Sequence, residues 1–155
     1  MRDSSADLRE RLVQYMRKNK LKHTRQRQAI VDAFLGMSGH TSIDSLLVEV
    51  QKIRPSVGYA TVYRSLKMFV AAGVASERRF GDGPSLFEPV EQGSHHDHLI
   101  CVLCKRIFEF EDPIIEEQQL VVAKKMGLRL TSHRMTLFGE CVDEESCKAN
   151  RQPSR

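Results

Sequence analysis

The placement of the cysteines constrains this chain more than any other feature. All four lie in its second half, as Cys101-x2-Cys104 and Cys141-x5-Cys147. A cytosolic chain keeps its thiols reduced, so two pairs at chelating spacing read as one structural zinc held by four thiolates. A redox couple at Cys101/Cys104 is the alternative, and it leaves the second pair without a role.

Charge divides the chain in the same place. Residues 1–80 carry 15 Lys+Arg against 7 Asp+Glu, whereas residues 81–155 carry 9 against 13. A basic first half suits a polyanion, because cationic side chains release counterions condensed on phosphates; a solvated basic surface is the plainer reading. Apolar runs such as Phe69–Ala72 and Leu99–Leu103 are far too short to span a membrane. Met1 is followed by Arg2-Asp3-Ser4-Ser5 without the apolar stretch of a secretory signal, so a cytoplasmic protein is expected.

Periodicity sketches the elements. Leu8, Leu12, Val13, Tyr15 and Met16 form a helical face within 6–19, and Thr24 is placed to cap a helix over 25–35. Thr41 or Ser42 caps a third helix that Arg54-Pro55 ends, and a fourth apolar stripe runs through Val62, Leu66, Phe69 and Val70 to Gly73. Two β-like segments, 74–80 and 85–90, flank the turn Gly81-Asp82-Gly83-Pro84. Helices followed by a hairpin are the order of a winged helix. Beyond it, the pattern predicts strands over 98–102 and 107–110, a helix from Asp112-Pro113 to Gly127 and a strand over 128–138. The polar tail after Cys147 is expected to be disordered. Such a small α+β unit is short of core, where a zinc staple helps.

The chemistry concentrates in Ser94-His95-His96-Asp97-His98. On a strand His96 and His98 face one way, His95 and Asp97 the other, so one segment can feed two metal sites. Imidazole and carboxylate donors without thiolate suit Fe(II), Mn(II), Co(II) or Zn(II). A solvated loop with chance histidines is the bland alternative. The run also imitates the H-x-H-x-D-H of zinc hydrolases, but the first ligand falls on Gly93 and the βα repeats of that fold are missing.

Gly58-Tyr59-Ala60-Thr61-Val62-Tyr63-Arg64, paired with His95-His96-Asp97-His98-Leu99-Ile100-Cys101-x2-Cys104, closely resembles the ferric uptake regulator superfamily, from about Leu8 to Cys147. The resemblance implies an α+β fold: an N-terminal winged-helix DNA-binding domain (1–90), then a small C-terminal α/β dimerisation and metal-binding domain (91–150), with 151–155 a disordered tail. It assigns Tyr63 and Arg64 to the recognition helix and Lys22 to an AT-rich minor groove; helix core is the bland reading of Tyr63. It implies a regulatory metal site of His40, Glu88, His96, His98 and Glu109, and a second of His95, Asp97, Glu116 and His133. His40 as a loop histidine and His133 bonded to a carbonyl are the alternatives.

The chain departs from the family pattern in three places. Lys105 follows Cys104 where Gly is common, the last cysteine pair is spaced more widely, and there is no histidine-rich tail. Peroxide sensors of the superfamily place Asp where this chain has Glu88 and Glu109, so Fe(II) is favoured, with Mn(II) or Zn(II) as substitutes. The expected function is thus non-enzymatic: an iron-dependent repressor of iron-uptake genes. It would be a homodimer or higher oligomer on an AT-rich palindromic operator in double-stranded DNA. A peroxide, manganese or zinc regulator, or a metal-storage or chaperone protein, is the rival.

Overall fold

The computed structural model describes residues 5–90 and 96–150. The chain divides into two compact units, Met1–Ser94 and His95–Arg155. Among the described residues no helix is long and apolar enough to cross a membrane.

The first unit is a winged helix. Helix α1 (Ser5–Lys18) buries Leu8, Leu12 and Met16, one residue per turn. Helix α2 (Arg25–Gly36) starts where the Thr24 hydroxyl accepts from the Arg27 amide at 3.2 Å. Strand β1 (Thr41–Ser42) leads into α3 (Ile43–Ile53), capped by Ser42, whose side chain accepts from the Ser45 amide at 3.1 Å. Helix α4 (Tyr59–Ala71) ends in a Schellman arrangement. Gly73 takes φ +67°, its amide donates to the Val70 carbonyl, and the Val74 amide donates to the Phe69 carbonyl. Strands β2 (Ala75–Arg79) and β3 (Ser85–Pro89) form the antiparallel wing, and β1 adds to the other edge of β3. The core gathers Ile30, Phe34, Leu46, Val50, Val57, Val62, Leu66, Phe69, Val74 and Phe87, all fully buried, with the Phe34 and Phe69 rings 5.6 Å apart.

The second unit has strand β4 (Asp97–Cys101) at the centre of a sheet, antiparallel to β5 (Ile107–Phe110) and parallel to β6 (Thr136–Gly139). Between them runs α5 (Pro113–Lys125), with Asp112 accepting from the Ile114 and Ile115 amides and Pro113 in the first turn. Helix α6 (Glu144–Asn150) follows β6. Among the described residues of this unit the buried apolar content is small: Ile100, Cys101 and Cys147. No described residue of α5 is buried, and Leu99, Phe108, Ile114, Leu120, Val122, Leu137 and Phe138 are exposed.

Three expectations need correction. The strand expected over 128–138 is only Thr136–Gly139, because its parallel register with β4 runs only from His98 to Cys101, starting where the His98 amide donates to the Met135 carbonyl at 3.3 Å. The expected disorder after Cys147 gives way to α6, which the Asp143 carboxylate caps by accepting from the Ser146 amide and hydroxyl. The tail residues 151–155 lie outside the described residues, as does His95. Finally, His133 was expected on a strand and sits instead in the irregular segment before β6.

Candidate metal centres and nucleic-acid interface

The cysteines meet because β4 and β6 run side by side. Cys101 closes β4 and Cys141 follows β6, with the Val102 amide donating to the Gly139 carbonyl at 2.8 Å. Cys104 is on the turn after β4, and α6 supplies Cys147. All four are free thiols, and their sulfurs lie within 4.8 Å of one another. Sγ of Cys141 is 3.5 Å from that of Cys101 and 3.8 Å from that of Cys104. Thiolates about 2.3 Å from a tetrahedral zinc stand roughly 3.8 Å apart, so the donor set and its spacing fit such an ion. The Cys104 amide, donating to the Cys101 sulfur, leads the influences that pull that thiol down to about 6 against its burial. Burial pushes the Cys147 thiol up. The turn exacts some strain: Lys105 adopts φ +63°, in the left-handed region that favours glycine, while its ammonium donates to the Val102 carbonyl at 2.7 Å.

A second cluster in the same unit joins Asp97, Glu116 and His133, again within 4.8 Å. His133 Nε2 is 3.2 Å from Glu116 Oε1 and 3.8 Å from Asp97 Oδ1. Asp97, on β4, is 2% exposed. Burying a carboxylate is costly unless a cation or donors compensate it, and an imidazole between two carboxylates is a suitable set for a divalent ion.

The other face of β4 carries His98, 1% exposed, its ring 4.9 Å from that of His96. Strand register sets Glu109 on β5 opposite His98, and Glu109 Oε1 lies 3.9 Å from His96 Nε2.

In the first unit, Thr41 pairs with Phe87, so the antiparallel register carries His40 to Glu88. His40 Nε2 is 3.0 Å from Glu88 Oε2. Glu88 Oε1 accepts from Arg78 Nε at 2.7 Å and from the Ser76 hydroxyl at 2.8 Å. Burial works to raise the Glu88 pKa, but the bonds from His40, Arg78 and Ser76 outweigh it and hold the carboxyl well below the usual range. His40 also lies edge-on to Phe80, with centroids 5.5 Å apart.

Helix α4 presents a second kind of surface. Tyr63 is 43% and Tyr59 49% exposed, and Arg64 is exposed as well. Tyr63 is therefore not a core residue. The Lys67 ammonium lies 5.7 Å from the Tyr63 ring centroid and pairs with Glu77 of the wing. Lys22 is exposed in the segment before α2. Sequence reasoning passed over Tyr59, whose position one turn before Tyr63 was the available signal. It also passed over Ser76 and Arg78, for which β2 showed only that i and i+2 share a face.

The ferric uptake regulator family model matches residues 18–138. The chain belongs to that family. Its similarity to the ferric uptake regulation protein of Campylobacter jejuni is 39% identity over 142 residues, covering 90% of each chain. Among solved structures it is similar to the ferric uptake regulator of Helicobacter pylori, described as having three functional metal-binding sites. That match has a TM-score of 0.85 and 29% identity, over 98% of this chain and 97% of the other. The Vibrio cholerae regulator matches with a TM-score of 0.70 and 36% identity, over 83% and 98%. Members of the ferric uptake regulator family are metal-responsive transcriptional regulators rather than enzymes.

Proposed function

We propose that this family member is a cytoplasmic, Fe(II)-dependent repressor of iron-uptake genes that binds AT-rich inverted repeats as a homodimer. The observation that carries the reading is the pair of ligand sets, one in each unit. His40 and Glu88 converge in the first unit, and His96, His98 and Glu109 in the second. We assign all five to one regulatory metal. A divalent ion held by both sets supplies coordinate bonds that favour one arrangement of the DNA-binding unit. By linkage, occupancy then promotes DNA binding only to the extent that this arrangement binds the ion better than the alternatives.

Glutamates at 88 and 109, with a complete His-His-Asp-His run, support iron over peroxide sensing. Cys101, Cys104, Cys141 and Cys147 are assigned to structural zinc, and Asp97, Glu116 and His133, with His95, to a second site. The exposed apolar residues of β4, β5, α5 and β6 support a dimer through the second unit, since a set this large on a single chain marks an interface. Two copies then offer two α4 helices to two half-sites, with Tyr63 against a thymine methyl, Arg64 on backbone or base and Lys22 toward the minor groove. A storage or carrier protein has no need of the basic unit that presents Tyr63 and Arg64.

The test uses the full chain purified without oxygen, with its metals counted. Anisotropy on an AT-rich inverted repeat is followed against free Fe(II), Mn(II) and Zn(II). Activation by Fe(II) that a chelator reverses supports the reading. Activation by Zn(II) alone, or DNA binding indifferent to all three ions, overturns it.

A further inference from the structure

We propose that Arg78, with Ser76, is a positioning residue that confines Glu88 to metal ligation through a single oxygen and thereby shapes the metal preference of the regulatory site. The inference rests on the assignment of Glu88 to that site.

The geometry lies wholly within the first unit. Ser76 on β2 is the register partner of Glu88 on β3, and Arg78, two residues along the same strand face, reaches back to the same carboxylate. Both donate to Oε1, at 2.8 and 2.7 Å, while Oε2 is the oxygen beside His40 Nε2 at 3.0 Å. A carboxylate can serve a metal with one oxygen or with both. Here one oxygen already accepts two hydrogen bonds, one of them from a guanidinium, which resist rotation of the group and weaken Oε1 as a ligand. The Arg78 side chain is 28% exposed and that of Glu88 10%, so the clamp is partly shielded from water, where such a bond keeps its strength.

Two consequences follow. Partners that orient a ligating carboxylate raise metal affinity, because the ligand is held in place before the ion arrives. Restriction to one oxygen also limits the coordination number. That disfavours ions that accept extra oxygen ligands, Mn(II) above all, relative to Co(II), Fe(II) and Zn(II).

The experiment uses the full chain with its thiolate site zinc-loaded, in a His133→Ala background that silences the Asp97 cluster, and Co(II) as the probe. Co(II) affinity, the intensity of its visible d–d bands and the Mn(II)/Co(II) affinity ratio are measured for the parent, Arg78→Met, Arg78→Lys, Ser76→Ala and Glu88→Gln. The expected result for Arg78→Met is Co(II) binding weakened about 10-fold or more. Its d–d bands should weaken as coordination rises, and the ratio should shift toward Mn(II). Arg78→Lys should recover part of each change, and Ser76→Ala should show a smaller change in the same direction. A purely structural role would lower thermal stability without moving the bands or the ratio. If Glu88→Gln loses tight Co(II) binding while Arg78→Met and Ser76→Ala keep the parental affinity, bands and ratio, the positioning role is overturned and the regulatory site stands. If Glu88→Gln binds Co(II) like the parent, Glu88 is not a ligand and both readings fall.

Discussion

Replacing Tyr63 by Ala isolates the reading of bases from the holding of phosphates. Tyr63 is 43% exposed on α4, and the buried stripe of that helix, Val62, Ser65, Leu66, Met68 and Phe69, does not include it. Truncation therefore opens no core cavity, and stability should stay within about 0.5 kcal/mol of the parent. A lost base contact costs about 1–3 kcal/mol, or roughly a 5- to 150-fold rise in operator Kd. The residue removed carries no charge, so affinity for non-specific DNA and the slope of log K against log salt should hardly change. Lys22→Ala makes the converse case: its exposed cation should take about 0.9 from the salt slope and weaken binding to all AT-rich DNA alike. The assay is Kd for an operator and for a scrambled duplex, at several salt concentrations with the regulatory metal saturating. If Tyr63→Ala weakens both duplexes equally, or changes the salt slope as Lys22→Ala does, Tyr63 does not read bases and the division of roles is refuted.

Four further outcomes are expected. Cys104→Ser should release zinc, lower the melting temperature of the second unit and shift the protein toward monomer in sedimentation, because a unit with so few buried apolar residues couples folding to metal binding; unchanged stability and assembly would count against the thiolate site. His96→Ala should abolish metal-activated operator binding while zinc content is retained. His133→Ala should chiefly lower stability or tune the response, and the opposite pattern would mean that the two sites are reversed. Lys105→Gly should stabilise the protein by about 0.5–1 kcal/mol in denaturant unfolding, since relief of the left-handed φ of +63° exceeds the added freedom of the unfolded chain; a loss of stability would show that the Lys105 bond to Val102 outweighs the strain.

Much of the fold was legible because its signals are local. Thr24, Ser42 and Asp112 cap their helices through bonds to amides within three residues, and Gly73 ends α4 by its own φ. Apolar periodicity marks the faces of α1 to α4, and Gly81 to Pro84 mark the turn of the wing. Each of these is written within one or two turns of chain, so the residues alone determine it.

What the residues alone left open depends on partners distant along the chain. Strand β6 is short because β4 supplies only a few positions in register, and β1 exists only because β3 passes beside two residues too few to show a pattern. Cys147 reaches the other thiols because α6 forms, a helix the sequence did not signal. The grouping of Asp97 with Glu116 and His133, and of His40 with Glu88, was suggested by family resemblance and not by spacing. The Arg78 bond to Glu88 had no signal in the sequence at all. Nothing in an Arg on a strand names its acceptor; sheet register decides which carboxylate comes within 2.7 Å, and register is a property of two segments at once. Local chemistry therefore determined the helices and the turn of the wing, and tertiary pairing decided β1, the extent of β6 and which side chains share a site.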